Sequence, residues 1–297
     1  MNKFFALSRT THGVLDIAMP AFCALLWLGK FPSWQVVLLS LFTAFAGYTA
    51  IYALNDLIGI QMDREKFSGA GINRGYSVEA SDLRYPLARN ALGVRSGWAW
   101  FGIWFLLALI GSYALNPAVV LILFSATLLE ILYCLLFKVT YLRTLVSGLV
   151  KSSGPVAAVF VVNPHPPFQL LLLQIIWLIL WEIGGQNIPA DWNDVEEDRR
   201  VNAKTIPLLF GMEKAGWIVI ISLSLSVLAS LFLPVISPLH LGWPYLLASV
   251  LAGFFLLLLP GVQLYRLKEP RQAARLFDRA SYYPFAQFVL IAIFTLL

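Results

Sequence analysis

The chain is built from apolar runs of about 18 to 25 residues separated by short polar connections, each long enough to cross a bilayer as a helix. This feature limits the fold more than any other. In lipid every backbone N–H and C=O must be satisfied within the protein, which leaves only helices or closed barrels. The runs are continuous rather than alternating, so a β-barrel does not fit. Composition agrees: 59% of the 297 residues are hydrophobic and 12% are charged, against about 25% charged in a typical soluble domain. A soluble fold of this size has no interior large enough for so much apolar surface.

Segmentation predicts a single all-α membrane domain over residues 1–297 with about nine spans. They fall near 13–30, 35–61, 97–115, 117–137, 142–163, 168–190, 214–236, 241–264 and 280–297. The basic N-terminal stretch has no small-residue cleavage site, and Pro20 follows inside the first run, so an uncleaved first span is expected. Nine crossings from a cytoplasmic N-terminus place 19 of the 21 Lys and Arg residues in cytoplasmic segments or the helix ends beside them. That asymmetry is the positive-inside pattern. It accounts for the net charge of +5 through topogenesis and contacts with anionic membrane lipids, with no nucleic-acid partner required. Cys23 and Cys134 fall within spans without a spacing signal and read as small buried residues. His12, His165 and His240 show no zinc-ligand spacing.

Two acidic clusters break the apolar pattern. The first runs Asn55-Asp56-Leu57-Ile58-Gly59-Ile60-Gln61-Met62-Asp63-Arg64 and the second runs Asn187-Ile188-Pro189-Ala190-Asp191-Trp192-Asn193-Asp194-Val195-Glu196-Glu197-Asp198-Arg199. On a helix Asp56 and Asp63 point within about 20° of each other. Asp191, Asp194 and Asp198 fall within about 60°, and Asn187 shares their face. Each cluster follows a span ending on the cytoplasmic side. Stacked carboxylates next to lipid repel one another and are costly to ionise. Divalent cations bound through carboxylates and phosphate oxygens relieve that cost, and Mg²⁺ suits such a site. One such cluster alone reads as a solvated acidic turn. Two, separated by nearly half the chain and both ending in Asp-Arg, suggest two related four-helix halves sharing a site. Basic residues surround them: Arg64, Lys66, Arg74, Arg84 and Arg89 after the first, Arg199, Arg200 and Lys204 after the second, and Lys138 and Arg143 at a third short loop. Carboxylate-held Mg²⁺ beside Arg and Lys forms a diphosphate site. Lys204 and Arg199, closest behind the second stripe, are the leading cations.

These residues resemble the UbiA superfamily of intramembrane prenyltransferases. Asn55, Asp56 and Asp63 match its NDxxDxxxD motif, and Asp191, Asp194 and Asp198 match its DxxDxxxD motif completely. The run Asp198-Arg199-Arg200-Val201-Asn202-Ala203-Lys204-Thr205-Ile206-Pro207 is similar to the family's DRxxGAKTLP continuation, with Asn202 for Gly. Arg84-Tyr85-Pro86-Leu87 resembles its Arg-Pro segment with an inserted Tyr. Gly59 departs from the pattern, standing where the family usually has the middle Asp of its first motif. The longer loop 66–83 also departs and is expected to act as an acceptor-specific lid.

The resemblance implies a ring of about nine helices with cytoplasmic cap loops. Two Mg²⁺ ions, one per stripe, would hold the diphosphate of a polyprenyl substrate. Asn55, Asp56, Asp63, Asp191, Asp194 and Asp198 are the implied metal and catalytic residues. Arg64, Lys66, Arg84, Lys138, Arg143, Arg199 and Lys204 are the implied diphosphate contacts. Ionisation of the allylic C–O bond would then allow attack by a small acceptor, with quinone precursors leading among the family's acceptors. Asp16, Glu130 and Lys151 lie within spans, where ionisable groups are expensive against lipid and belong in an interior cavity. Lys151, Glu130, Asn187 and Tyr52 are candidate cavity or acceptor contacts, and a Lys151–Glu130 pair is an alternative. Competing functions are an intramembrane terpene cyclase, a transporter and a non-catalytic binding protein of the same fold.

Overall fold

The computed structural model describes residues 2–67 and 85–297. Most of the expected lid, together with Arg74 and Arg84, lies outside the described residues. Within them the chain is helical throughout, and no strand is present. Eight segments are long and apolar enough to cross a membrane, from Thr10–Leu28 through Trp243–Leu267. The chain is a multi-pass integral membrane protein.

In chain order the α-helices are α1 (Asn2–Leu7), α2 (Thr10–Asp16), α3 (Ala18–Leu28), α4 (Trp34–Phe67), α5 (Val94–Leu115), α6 (Pro117–Leu135), α7 (Arg143–Val162), α8 (Phe168–Trp181), α9 (Ile188–Asn193), α10 (Val195–Arg200), α11 (Ile206–Ser230), α12 (Trp243–Gly253), α13 (Leu259–Leu267) and α14 (Pro270–Leu296). The expected span at 280–297 is the second half of α14, whose first half carries Arg271, Arg275, Asp278 and Arg279. Helix α4 is longer than its span: 34 residues reach about 50 Å, well beyond a hydrocarbon core of about 30 Å, so its acidic end extends past the apolar layer.

Three local features interrupt the simple segmentation. The first span is divided between α2 and α3, with Pro20 in the first turn of α3, where a missing N–H is tolerated. The run after α8 continues as a π-helical turn, Glu182–Asn187, before α9. Asp194 leaves helical geometry (φ −98°, ψ 16°), so the second acidic stripe is spread over two short helices rather than one.

Neighbouring helices close a ring: α4 packs on α5, α6 on α7, α7 on α8, α8 on α11, α11 on α13, α13 on α14 and α14 on α3, which also meets α7. The densest core lies on the α3–α8–α11–α14 side around Trp177, Trp192, Tyr245, Tyr283 and Phe22. Outward faces carry Ile103, Leu106, Ile110, Leu121 and Leu128 largely exposed, as a lipid-facing surface requires. The opposite side, between α2–α3, α4, α6 and α7, is hollow.

Candidate active site

The hollow is a cavity of about 680 Å³. Its polar mouth includes Asp63, Lys66, Asp194 and Asp198, and its far end includes Phe31, Val36, Leu115 and Val162. Small residues line its middle, among them Ser40, Ala44 and Gly47 of α4 and Gly154, Ala157 and Ala158 of α7.

Three cations face the two acidic stripes. Arg9 Nη2 donates to Asn55 Oδ1 and Asp56 Oδ1, each at 3.2 Å. It sits between α1 and α2 in a left-handed conformation (φ 45°, ψ 44°) that is uncommon outside glycine, a local strain of the kind found at functional sites. Arg143, at the start of α7, donates to Asp191 Oδ1 and to the Tyr133 hydroxyl, both at 2.8 Å. Lys66 Nζ lies 2.6 Å from Asp198 Oδ1. The Phe137 ring lies within 4.6 Å of both the Lys66 ammonium and the Arg143 guanidinium, adding a cation–π contact to each.

Asp56, Asp191 and Asp198 are all buried at this mouth. Asp63 and Asp194 line the cavity, and Asp194 Oδ1 accepts from Asn193 at 2.8 Å. Asn55 donates to Glu130, and Asn187 bridges Thr144 Oγ1 (2.8 Å) and the Tyr133 hydroxyl (3.1 Å). Burial pushes the Asp198 carboxyl above its ordinary value, with nearby Lys66 pulling the other way and Asp194 reinforcing the rise. An added Cβ at Gly59 meets only Asp63 Oδ2, at 3.6 Å, so the missing side chain leaves open space in the cavity wall.

The residues present fit a hard cation. Asp191 Oδ2 and Asp198 Oδ2 are buried with no hydrogen-bond partner among the described residues. Unsatisfied buried oxygens call for a ligand. No three His, Cys, Asp or Glu groups among the described residues converge as a closed metal cluster. Mg²⁺ suits this arrangement, because it takes one or two carboxylates and fills its shell with phosphate oxygens and water.

Several expected cations point elsewhere. Arg64 bonds Asn90, Lys138 pairs with Glu65 at 2.6 Å, and Arg199 pairs with Glu196 one turn away. Lys204 is exposed, and its backbone N–H ties the loop to Phe137 O at 2.8 Å. None of these four lines the cavity, whereas Arg9, Lys66 and Arg143 do. Arg9 was missed because a basic N-terminus already had a topogenic explanation. Asn202 sits at φ 55°, a left-handed conformation that Gly and, less readily, Asn adopt.

Deeper in the cavity Lys151 pairs with Asp16, at 2.7 Å. It also bonds the Tyr52 hydroxyl at 2.8 Å and lies 3.4 Å from His12 Nε2. His12, silent in the sequence, thus joins the cavity wall. Ser147 Oγ donates to Glu182 Oε1 at 2.6 Å.

Comparison with known proteins agrees with this architecture. Residues 17–290 match the UbiA prenyltransferase family. A digeranylgeranylglyceryl phosphate synthase from Thermococcus kodakarensis is 23% identical over 263 residues, covering 86% of this chain and 87% of that protein. The apo structure of a UbiA homologue from Aeropyrum pernix K1 superposes with a TM-score of 0.76 at 17% identity, over 95% of this chain and 98% of that one. A UbiA homologue from Archaeoglobus fulgidus bound to DMAPP and Mg²⁺ gives a TM-score of 0.64 at 17% identity, over 98% of this chain and 99% of that one. With nearly its whole length matched, the chain belongs to the UbiA prenyltransferase family.

Proposed function

We propose that this prenyltransferase moves a polyprenyl group from a polyprenyl diphosphate to a small acceptor in a Mg²⁺-dependent reaction at the cytoplasmic end of the cavity. One observation carries the reading: carboxylates from two distant stripes and cations from the α1–α2 junction, the end of α4 and the start of α7 surround the mouth of one apolar-walled cavity.

Asp56 and Asp63 would hold one Mg²⁺, and Asp191, Asp194 and Asp198 a second. When bound, the metal supplies Lewis acidity that draws charge from the departing diphosphate. Arg9, Lys66 and Arg143 present donors toward the same space and neutralise phosphate oxygens as the allylic C–O bond ionises. The apolar walls between α4 and α7 seat the isoprenoid chain and keep water from the allylic cation. Tyr133, stacked with Arg143 at 4.4 Å, adds an electron-rich ring to the cavity wall. The homologous structure with bound DMAPP and Mg²⁺ supports the donor and the metal. The curated relative, named for a glyceryl phosphate product, makes a hydroxylated phosphate ester as good an acceptor class as an aromatic quinone precursor.

The test is turnover of geranylgeranyl diphosphate by purified protein, with and without Mg²⁺, against aromatic and glyceryl phosphate acceptors, with products read by mass spectrometry. A metal- and acceptor-dependent adduct is expected. An acceptor-independent hydrocarbon would reassign the protein as a cyclase, and no diphosphate release under any condition would remove the catalytic reading.

A further inference from the structure

Two buried oxygens in the deep part of the cavity lack a donor. Glu182 Oε1 accepts from Ser147, yet Glu182 Oε2 has no hydrogen-bond partner among the described residues. Gln186, four residues on, donates through Nε2 to Phe277 O and Ser281 Oγ, both at 3.2 Å, and its Oε1 also has no partner. Both side chains are buried and both residues line the cavity. Buried acceptors of this kind are rarely left unmatched, and two on one wall point to a molecule that brings donors.

The charge at this depth narrows the class. Glu182 lies nine residues before Asp191, with most of the π-helical turn between them. Lys151 lies eight residues beyond Arg143, roughly 12 Å along α7. The two therefore form a shelf below the diphosphate mouth. Lys151 is already matched by Asp16, Tyr52 and His12. Among the described residues the shelf has no uncommitted positive charge to receive a carboxylate.

Resting on the transferase reading, we infer that the acceptor is a hydroxyl-bearing molecule that donates hydrogen bonds to Glu182 and Gln186, and that an aromatic carboxylate is a poor substrate. An anionic group on the acceptor, such as a phosphate, is placed toward the cationic mouth and not on the shelf.

The test uses full-length protein in detergent and two matched acceptor sets. One contains hydroquinone, 4-methoxyphenol and 4-hydroxybenzoate; the other contains glyceryl phosphate and its O-methyl ether. Within whichever set is turned over, the free-hydroxyl member should exceed its methyl ether, and hydroquinone should exceed 4-hydroxybenzoate, by at least tenfold in kcat/KM. Glu182→Ala should raise KM for the hydroxylated acceptor at least tenfold, and Glu182→Gln, which keeps an acceptor oxygen, should raise it less. Both should leave Mg²⁺-dependent geranylgeranyl diphosphate binding within twofold of wild type. Efficient use of 4-hydroxybenzoate would overturn the inference. So would an unchanged acceptor KM in a folded Glu182 variant, or failure of every hydroxylated compound in protein that binds the diphosphate. Absence of diphosphate binding by the wild type would instead overturn the transferase reading, and the inference with it.

Discussion

Arg9 ties a short N-terminal segment to the first acidic stripe, and its loss would leave Asp56 buried beside Asn55 without that donor. A hydrogen bond to a charged group is worth about 1.5–3 kcal/mol. Arg9→Ala should therefore lower kcat/KM for the prenyl diphosphate by roughly 10- to 100-fold, while the protein still inserts and extracts normally; steady-state kinetics in detergent check this. Asp198 contributes to the pH response. Its elevated carboxyl value means that folding carries no charge penalty there below about pH 4, where the group is protonated whether folded or not. As pH rises through the elevated value, metal-free protein should lose thermal stability, whereas Mg²⁺ should bind more tightly because no proton has to leave. Thermal melts in chelator and Mg²⁺ titrations across that window should show opposite slopes, and Asp198→Asn should weaken both. The carboxylates were legible in the sequence because like charges at helical spacing beside lipid demand a partner. The cations were not: Lys66, Arg64, Lys204 and Arg199 look alike by proximity in the chain. Only the folded arrangement separates Lys66, buried on Asp198, from Arg199, spent on Glu196.

Between α8 and α10 the chain does something that a uniform periodicity of 3.6 residues does not anticipate. The π-helical turn at Glu182–Asn187 and the break at Asp194 re-aim the carboxylates that follow. Two glycines allow this turn to pack tightly. A Cβ on Gly185 would stand 2.9 Å from Ala280 Cβ, and one on Gly184 would stand 2.9 Å from Leu223 Cγ. Overpacking of a close interface costs about 1–3 kcal/mol. Gly185→Ala should accordingly lower Tm and turnover, while Gly102→Ala, with nothing within 4 Å of the added carbon, should be neutral or slightly stabilising; fluorescence melts in detergent compare the two. Of the nine expected spans, eight appear among the described residues as helices long and apolar enough to cross a membrane, and these were readable from apolar run length alone. Their interruptions were not, because a π turn and a single non-helical aspartate leave the hydropathy pattern unchanged.

At the scale of the molecule, the basic residues fall mainly at one end of the ring, which predicts a cytoplasmic mouth. Single cysteines placed at Arg64 and Lys268 in a chain lacking its native ones should react with an impermeant maleimide only from the cytoplasmic side, and those at His165 and His240 only from the opposite side. The reverse pattern would invert the orientation. The pairing of Arg9 with Asp56, Arg143 with Asp191 and Lys66 with Asp198 has a consequence for assembly. The mouth arrives with counter-ions built into the polypeptide, so part of its negative charge is offset before the newly made chain meets any divalent cation. Folding and metal loading are thereby predicted to be separate events. Prolonged chelation should give an inactive protein with an unchanged elution volume and helical circular dichroism, and added Mg²⁺ should restore activity without refolding. The membrane can thus hold a stock of finished but idle enzyme whose output follows the local supply of metal and substrate.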